Sequence, residues 1–404
     1  MRKKKVLFVI NTMGRAGAET ALLGLLRKLD RERCDISLYV LLGQGELIER
    51  LPPDVRLLNP RFSKRSVLSG RGRAALTGSV LAAFFRNGGF WRKIGYTLSG
   101  LPAMLRRGRF QPDKLLWRAV AEGGLRFSEE YDLAVAWIEG GSAYYVADHA
   151  RAGKKAAFIH IDYRRAGYTR ELDRDCWKCF DRIFAVSPDA AEKFTSVYPE
   201  YRDKTAVFPN IVDQEEIRER AKEPGGFTDG YDGLRILTVG RLTYQKGYDI
   251  AIQAMRRLKD AGYRARWYVL GDGDQRKSLE RQIASLGLRE DFVLLGAVDN
   301  PYPYFAQADL YVHAVRFEGQ GIAVWEAQTL GCPVVVSDYC GSREQVEGGR
   351  YGVSCALTPE AVADTVAALL DDAPRRAELG RRAAEKKTPS GQERLFYELL
   401  EDGG

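Results

Sequence analysis

No stretch of the 404 residues approaches the roughly 20 consecutive apolar side chains that cross a bilayer as a helix. The basic start Met1–Lys5 is followed by only five apolar residues, Val6–Ile10. The run stops at Asn11 without a small-residue cleavage site, which argues against a secretory leader and for a first strand. The expected location is the cytoplasm, with a peripheral position at the inner face of the membrane kept open. Cysteine is sparse and scattered (Cys34, Cys176, Cys179, Cys332, Cys340 and Cys355), which excludes a disulfide scaffold. Cys176-x-x-Cys179 has no second pair and no His cluster near it; reduced thiols in a helical stretch are expected there. Low-complexity tracts are absent. Acid is also absent over a long interval: between Val55 and Pro112 there are twelve basic residues and no Asp or Glu.

The charge is unevenly divided. Residues 1–213 carry 37 Lys/Arg against 24 Asp/Glu, and the remainder carries 25 against 30. One half is therefore suited to an anionic partner. The length fits two domains. Short apolar runs alternate with helical patterns: Val6–Ile10, Ile36–Leu42, Leu133–Ile138, Ala156–Ile161, Ile183–Val186 and Thr205–Phe208. A Gly/Pro/Asp-rich joint follows, Glu223 to Gly233. The rhythm then resumes with Leu234–Val239, Trp267–Leu270, Phe292–Leu295, Leu310–His313 and Val334–Val336. Two series of strand–helix units predict an α/β chain of two doubly wound parallel sheets, with ligands outside the carboxyl ends of the strands, in a cleft between domains. The expected domains are 1–213, with a basic insertion at about 62–126 carrying helical pieces at Ala74–Arg86 and Leu115–Ala121, and 214–385. A terminal helix within 386–404 is expected to pack back on the first domain.

The chemistry concentrates in the second half. In Phe317-Glu318-Gly319-Gln320-Gly321-Ile322-Ala323-Val324-Trp325-Glu326 a strand ends, a small loop follows, and a helix opens near Gly321. The glycines let backbone approach a ligand, and the first amides of the helix favour a diphosphate. Glu318 and Glu326 can bracket hydroxyls of a sugar and a ribose. Alone, the segment is equally a glycine-rich turn with two solvated carboxylates. Earlier, Gly240-Arg241-Leu242-Thr243-Tyr244-Gln245-Lys246-Gly247 follows a strand and leads into a helix. Arg241 and Lys246 there supply two positive charges where a departing diphosphate needs neutralising. Asp272-Gly273-Asp274 has the look of an Asp-x-Asp metal site, but it follows a strand as a turn, and no catalytic metal is expected.

With Leu270-Gly271-Asp272-Gly273, Ala308-Asp309-Leu310, Gly331-Cys332-Pro333-Val334-Val335 and Gly341-Ser342-Arg343-Glu344, this order resembles family 4 of the retaining glycosyltransferases, from about Arg235 to Ala368. The resemblance implies a GT-B fold, two Rossmann-like domains facing across a cleft. It implies that Arg241 and Lys246 grip the donor diphosphate, that Glu318 contacts the transferred sugar, and that Glu326 holds the ribose hydroxyls. Gly240, Gly319, Gln320, Gly321 and Ile322 complete the donor set; Gln320 stands where many members carry Phe or Leu, leaving the sugar open. In the first domain, Gly14-x-x-Gly17-Ala18-Glu19 resembles the family's Gly-Gly-Ala-Glu loop, with Gly17 admitting the phosphates. A dinucleotide fingerprint is excluded by the missing third glycine. His160, at a strand end, is by residue type a hydrogen-bonded core histidine; the resemblance gives it a donor-sugar contact. His149 and His313 are expected to be core histidines. Ser187-Pro188 and Pro209-Asn210-Ile211-Val212-Asp213 also recur in the family.

The expected activity is a retaining hexosyltransfer from a nucleotide-diphosphate sugar, UDP slightly preferred, with no cofactor. The acceptor expected is a cell-surface polysaccharide or a lipid-linked saccharide. The basic segment 55–112, with Phe62, Phe84, Phe85, Phe90, Trp91, Tyr96 and Phe110, suits an anionic membrane surface as well as it suits a merely solvated one. No nucleic-acid module accompanies the charge, so nucleic acid is not an expected partner. The competing functions are a sugar-nucleotide epimerase on a similar fold and a non-catalytic binder of anionic surfaces.

Overall fold

The computed structural model describes residues 2–67, 69–106 and 112–401. Phe110 of the basic segment and the last residues of the 386–404 prediction, 402–404, lie outside them. The chain forms two units, residues 1–211 with 389–404, and residues 212–388. The division falls before Val212, so the stretch 223–233 is inside the second unit rather than at the joint where the sequence suggested it. Packing explains this: the Phe227 ring packs at a tilt against Tyr268 with centroids 4.5 Å apart, and its amide donates to Gln307 Oε1 at 2.9 Å.

In unit 1 the strands are β1 (Lys4–Ile10), β2 (Cys34–Val40), β3 (Arg56–Leu57), β4 (Tyr131–Ala136), β5 (Ala152–Ile159), β6 (Arg182–Ala185) and β7 (Thr205–Val207). They form one parallel sheet in the order β3-β2-β1-β4-β5-β6-β7. Continuous apolar runs make this possible, because helices on both faces bury both sides of each central strand. Val6 to Ile10 and Leu133 to Ala136 are completely buried. The helix Glu393–Glu401 belongs to this unit: Phe396 stacks on Phe8 at 5.7 Å and the Tyr397 hydroxyl accepts from the Asp30 amide at 2.7 Å. The residues 386–388, expected with that helix, belong to unit 2.

Unit 2 contains β8 (Leu234–Val239), β9 (Ala265–Leu270), β10 (Phe292–Gly296), β11 (Leu310–His313), β12 (Val334–Ser337) and β13 (Val353–Cys355), parallel and ordered β10-β9-β8-β11-β12-β13. Inside it, the Trp267 indole donates to Thr238 Oγ1 and the Thr238 hydroxyl to the Val312 carbonyl, tying three strands together. In each sheet the connections reverse direction once, between β1 and β4 and between β8 and β11. Those reversals open a crevice at the carboxyl edge, where ligands of doubly wound sheets bind.

The basic insertion is helical. Its helices are Gly70–Phe85, Gly89–Arg106 and Pro112–Glu122, longer than the expected pieces. All six cysteines are free, and Cys176–Cys179 lies at a short 3₁₀ turn rather than in an α-helix. Among the described residues no helix is long and apolar enough to cross a membrane.

Candidate active site

The β8–β11 reversal of unit 2 gathers most of the expected donor residues. The loop after β8 carries Gly240, Arg241 and Lys246, and the loop after β11 carries Glu318 through Gly321. Three contacts lace them together. The Arg316 amide donates to the Gln245 carbonyl at 2.8 Å, the Gln245 side chain donates to the Phe317 carbonyl at 2.9 Å, and Arg316 grips Asp249 with two bonds of 2.8 and 2.6 Å. Gly247 makes the lacing possible: its φ of 62° is left-handed, and a Cβ would strike the Ala314 carbonyl.

Held this way, Lys246 and Glu318 form an ion pair with side chains 15% and 16% exposed. His313 Nε2 lies 3.8 Å from the same Glu318 oxygen. Burial alone would raise the Glu318 pKa, but the Lys246 charge, with the His313 ring close by, outweighs it and holds the carboxyl at about 2. Burial lowers the pKa of His313, against the pull of Glu318. His313 is a core histidine, as its residue type suggested, with Nδ1 3.0 Å from the Tyr311 hydroxyl; it also touches the candidate site, which the sequence did not indicate. Arg241 is exposed and makes no ion pair among the described residues.

Beside this pair the helix Ile322–Thr329 begins. Gly321 is required at its start, since a Cβ would lie 2.7 Å from the Tyr339 hydroxyl and 3.2 Å from His313 Nε2. Gln345 clamps Gly321 by accepting from its amide (3.3 Å) and donating to its carbonyl (2.7 Å), and Tyr339 hydrogen-bonds the same Gln345. The amides of Ile322 and Ala323 open the helix and, like the first amides of any helix, have no intrahelical acceptor. Gly319 is buried and Gln320 half-buried. One turn into the helix Glu326 is buried, and the Tyr302 hydroxyl donates to it at 3.2 Å. This arrangement puts two cations, one helix start and two carboxylates at one strand edge. It can bind an anionic, hydroxyl-bearing ligand. Asp272-Gly273-Asp274 braces it: the Leu242 amide donates to the Asp272 carbonyl at 3.0 Å, and Asp272 Oδ1 accepts from Gly273 at 2.8 Å.

Gly17 and His160 lie in unit 1. Gly17 opens the helix Gly17–Lys28 after β1, and His160 follows β5, buried, with its ring stacked near Phe158. The His160 amide donates to Glu139 Oε2 at 3.0 Å. Glu139, after β4, is a buried acid that the sequence reading passed over; burial pushes its pKa up, while the His160 amide and Lys114 pull it back. Among the described residues one group of three potential metal ligands converges, Glu122, Asp148 and His149. Lys93, Arg118 and Arg126 already pair with its carboxylates.

Two doubly wound parallel-sheet domains are the architecture of GT-B glycosyltransferases. The fold of HepE from Anabaena matches at a TM-score of 0.65, with 18% identity over 95% of this chain and 94% of that one. S. aureus TarM matches at 0.68, with 12% identity over 99% of each chain. The chain belongs to the glycosyl transferases group 1: residues 226–386 match that family, and the lipopolysaccharide core biosynthesis mannosyltransferase LpsB of Rhizobium meliloti is 30% identical over 80% of this chain and 90% of its own. Against other curated relatives the match spans only 41% and 40% of their lengths.

Proposed function

We propose that the protein transfers a hexosyl group from a nucleotide-diphosphate sugar to a saccharide or lipid-linked acceptor, retaining the anomeric configuration. The observation that carries the reading is the Lys246–Glu318 ion pair beside the start of the Ile322–Thr329 helix, with Arg241, exposed and without an ion pair among the described residues, on the same loop as Lys246. Positive charge collects where a diphosphate would leave, and a carboxylate fixed in its charged form stands next to it. The two kinds of group needed at a glycosyl centre are thereby side by side.

The bond from the sugar's anomeric carbon to the diphosphate oxygen breaks, and a bond to the acceptor oxygen forms on the same face. The acceptor's proton passes to the leaving diphosphate oxygen, so no protein nucleophile is required. Arg241, Lys246 and the first amides of the helix stabilise the departing charge. Glu318 orients sugar hydroxyls and Glu326 the ribose, with Gly240 and Gly319–Ile322 shaping the pocket. Gly17 and His160 keep the roles that the resemblance gives them, phosphate approach and contact with the donor sugar. The cations do the work that a metal does in other transferases, so none is required. UDP is the preferred nucleotide; HepE crystallised with UDP and with UDP-glucose, and LpsB is a mannosyltransferase of lipopolysaccharide core assembly, which supports surface-polysaccharide chemistry. A position at the inner membrane face follows if the acceptor is lipid-linked.

A panel of UDP-, GDP- and ADP-sugars tests this reading by thermal shift and by slow release of nucleoside diphosphate without acceptor. Stabilisation by one donor class together with hydrolysis is expected. Stabilisation with interconversion of sugars and no release would mean an epimerase, and no response to any donor would mean a non-catalytic binder.

A further inference from the structure

Within the basic insertion, the helices Gly70–Phe85 and Gly89–Arg106 turn into one another through Asn87 and Gly88, both left-handed with φ of 55° and 69°. One side of the pair is packed on the unit. Ala83, Gly89, Gly100, Ala103 and Met104 are buried, and the Thr97 hydroxyl donates to the Leu115 carbonyl at 2.9 Å. The wholly buried Arg118 lies 4.4 Å from the Tyr96 ring.

The opposite side has no cover. Of seven large hydrophobic side chains exposed among the described residues, five are on this pair: Leu81, Phe85, Trp91, Leu98 and Leu105, each more than half exposed. Trp91, Leu98 and Leu105 recur every seven residues, close to two helical turns, so they form one stripe. Gly95 and Pro102, also exposed, fill the intervals, so no charge interrupts it. At the turn the rings of Phe84, Phe90 and Trp91 run on from one another at centroid separations of 5.0 and 4.8 Å, with Phe85 5.2 Å from Phe84, which carries the apolar surface round to Leu81. Arg71, Arg73 and Arg106 are exposed on the same two helices, and none has a carboxylate partner among the described residues.

We propose that this face seats on an anionic lipid surface. Phe85, Trp91, Leu98 and Leu105 enter the boundary between headgroups and acyl chains, and the three arginines lie among headgroup phosphates. Apolar burial and attraction to anionic lipid act together on such a face, and tryptophan favours that depth. Self-association fits less well: a twofold contact of the face with itself would set the same arginines against each other, and the two remaining exposed large hydrophobics, Tyr244 and Leu295, are both in unit 2. The inference goes beyond the transfer reaction and needs none of its steps.

Flotation of the full chain with phosphatidylcholine vesicles, with and without about 30 mol% phosphatidylglycerol, tests it directly. Binding to the anionic vesicles that weakens with salt is expected, together with quenching of tryptophan emission by brominated lipid that is largely lost in Trp91→Phe. Leu98→Glu and the double substitution Arg71→Glu/Arg73→Glu are each expected to lose about tenfold or more in partitioning with an unchanged melting temperature. Failure to float on anionic vesicles overturns the proposal. So does partitioning untouched by Leu98→Glu, or a dimer that Leu98→Glu converts to monomer without any vesicle binding. Donor hydrolysis measured on the same preparations keeps failure of this proposal distinct from failure of the transfer reading.

Discussion

Lys246 and Glu318, 72 residues apart in sequence, meet as an ion pair with His313 Nε2 3.8 Å from the shared carboxylate oxygen. The pair does two things. It fixes Glu318 in its charged form, and it ties the loop after β8 to the loop after β11. Lys246→Met leaves a largely buried carboxylate without its counter-charge. A loss of about 3 kcal/mol in urea unfolding is expected, and the double variant Lys246→Met/Glu318→Gln should recover most of it. Equal losses in single and double variants would show that the two side chains do not couple.

Acid should expose the same arrangement. Glu318 has a folded pKa of about 2 against an ordinary 4.5, so its stabilisation is complete above about pH 4.5 and is lost as pH falls toward 2. His313 also has a lowered pKa, so the unfolded chain takes up its proton first, and stability already declines as pH falls below 6.5. Unfolding free energy measured from pH 7 to pH 3 should therefore fall in two stages. Glu318→Gln should shrink the lower stage, which Asp229 shares with its pKa lowered to about 2, and His313→Phe should shrink the upper, which His149 shares with its pKa lowered to about 4.

Gly321→Ala should damage the start of the Ile322–Thr329 helix, because a Cβ there would lie 2.7 Å from the Tyr339 hydroxyl. A destabilisation of about 1–3 kcal/mol is expected, with loss of the thermal response to the nucleotide sugar. An unchanged response would remove this helix start from the binding site.

If Arg241 and Lys246 carry the leaving-group charge, divalent metal is dispensable. Donor hydrolysis and transfer should survive excess EDTA within about twofold, and added Mg²⁺ or Mn²⁺ should not restore an Arg241 variant. Activity abolished by EDTA and rescued by metal would contradict this.

Much of the fold is legible in the sequence because buried parallel strands are continuous apolar runs. The runs at Leu133–Ile138 and Leu310–His313 became β4 and β11. The edge strands β3 and β13 escaped notice because they are two and three residues long and partly exposed, with no run to mark them. Arg241, Lys246 and Glu318 stand out in the sequence because the loops that carry them have ordered spacing, and Glu326 because it follows Glu318 at a fixed interval, inside the helix Ile322–Thr329. Glu139 is not, since it reaches the His160 amide 21 residues away through the pairing of β4 with β5. Nor is the contact of His313 with Glu318, which depends on how the two loops are laced. The seven-residue recurrence of Trp91, Leu98 and Leu105 is visible in the sequence, but only packing decides which side of that helix stays uncovered.

Arg241 gives the most direct test of the central claim. It is exposed and makes no ion pair among the described residues, so Arg241→Ala removes charge from the candidate site without breaking the fold. Release of nucleoside diphosphate from the preferred donor, measured on wild type and Arg241→Ala at matched melting temperature, should fall about 100-fold or more. Turnover like that of wild type in the variant would contradict the assignment of this strand edge as the donor site.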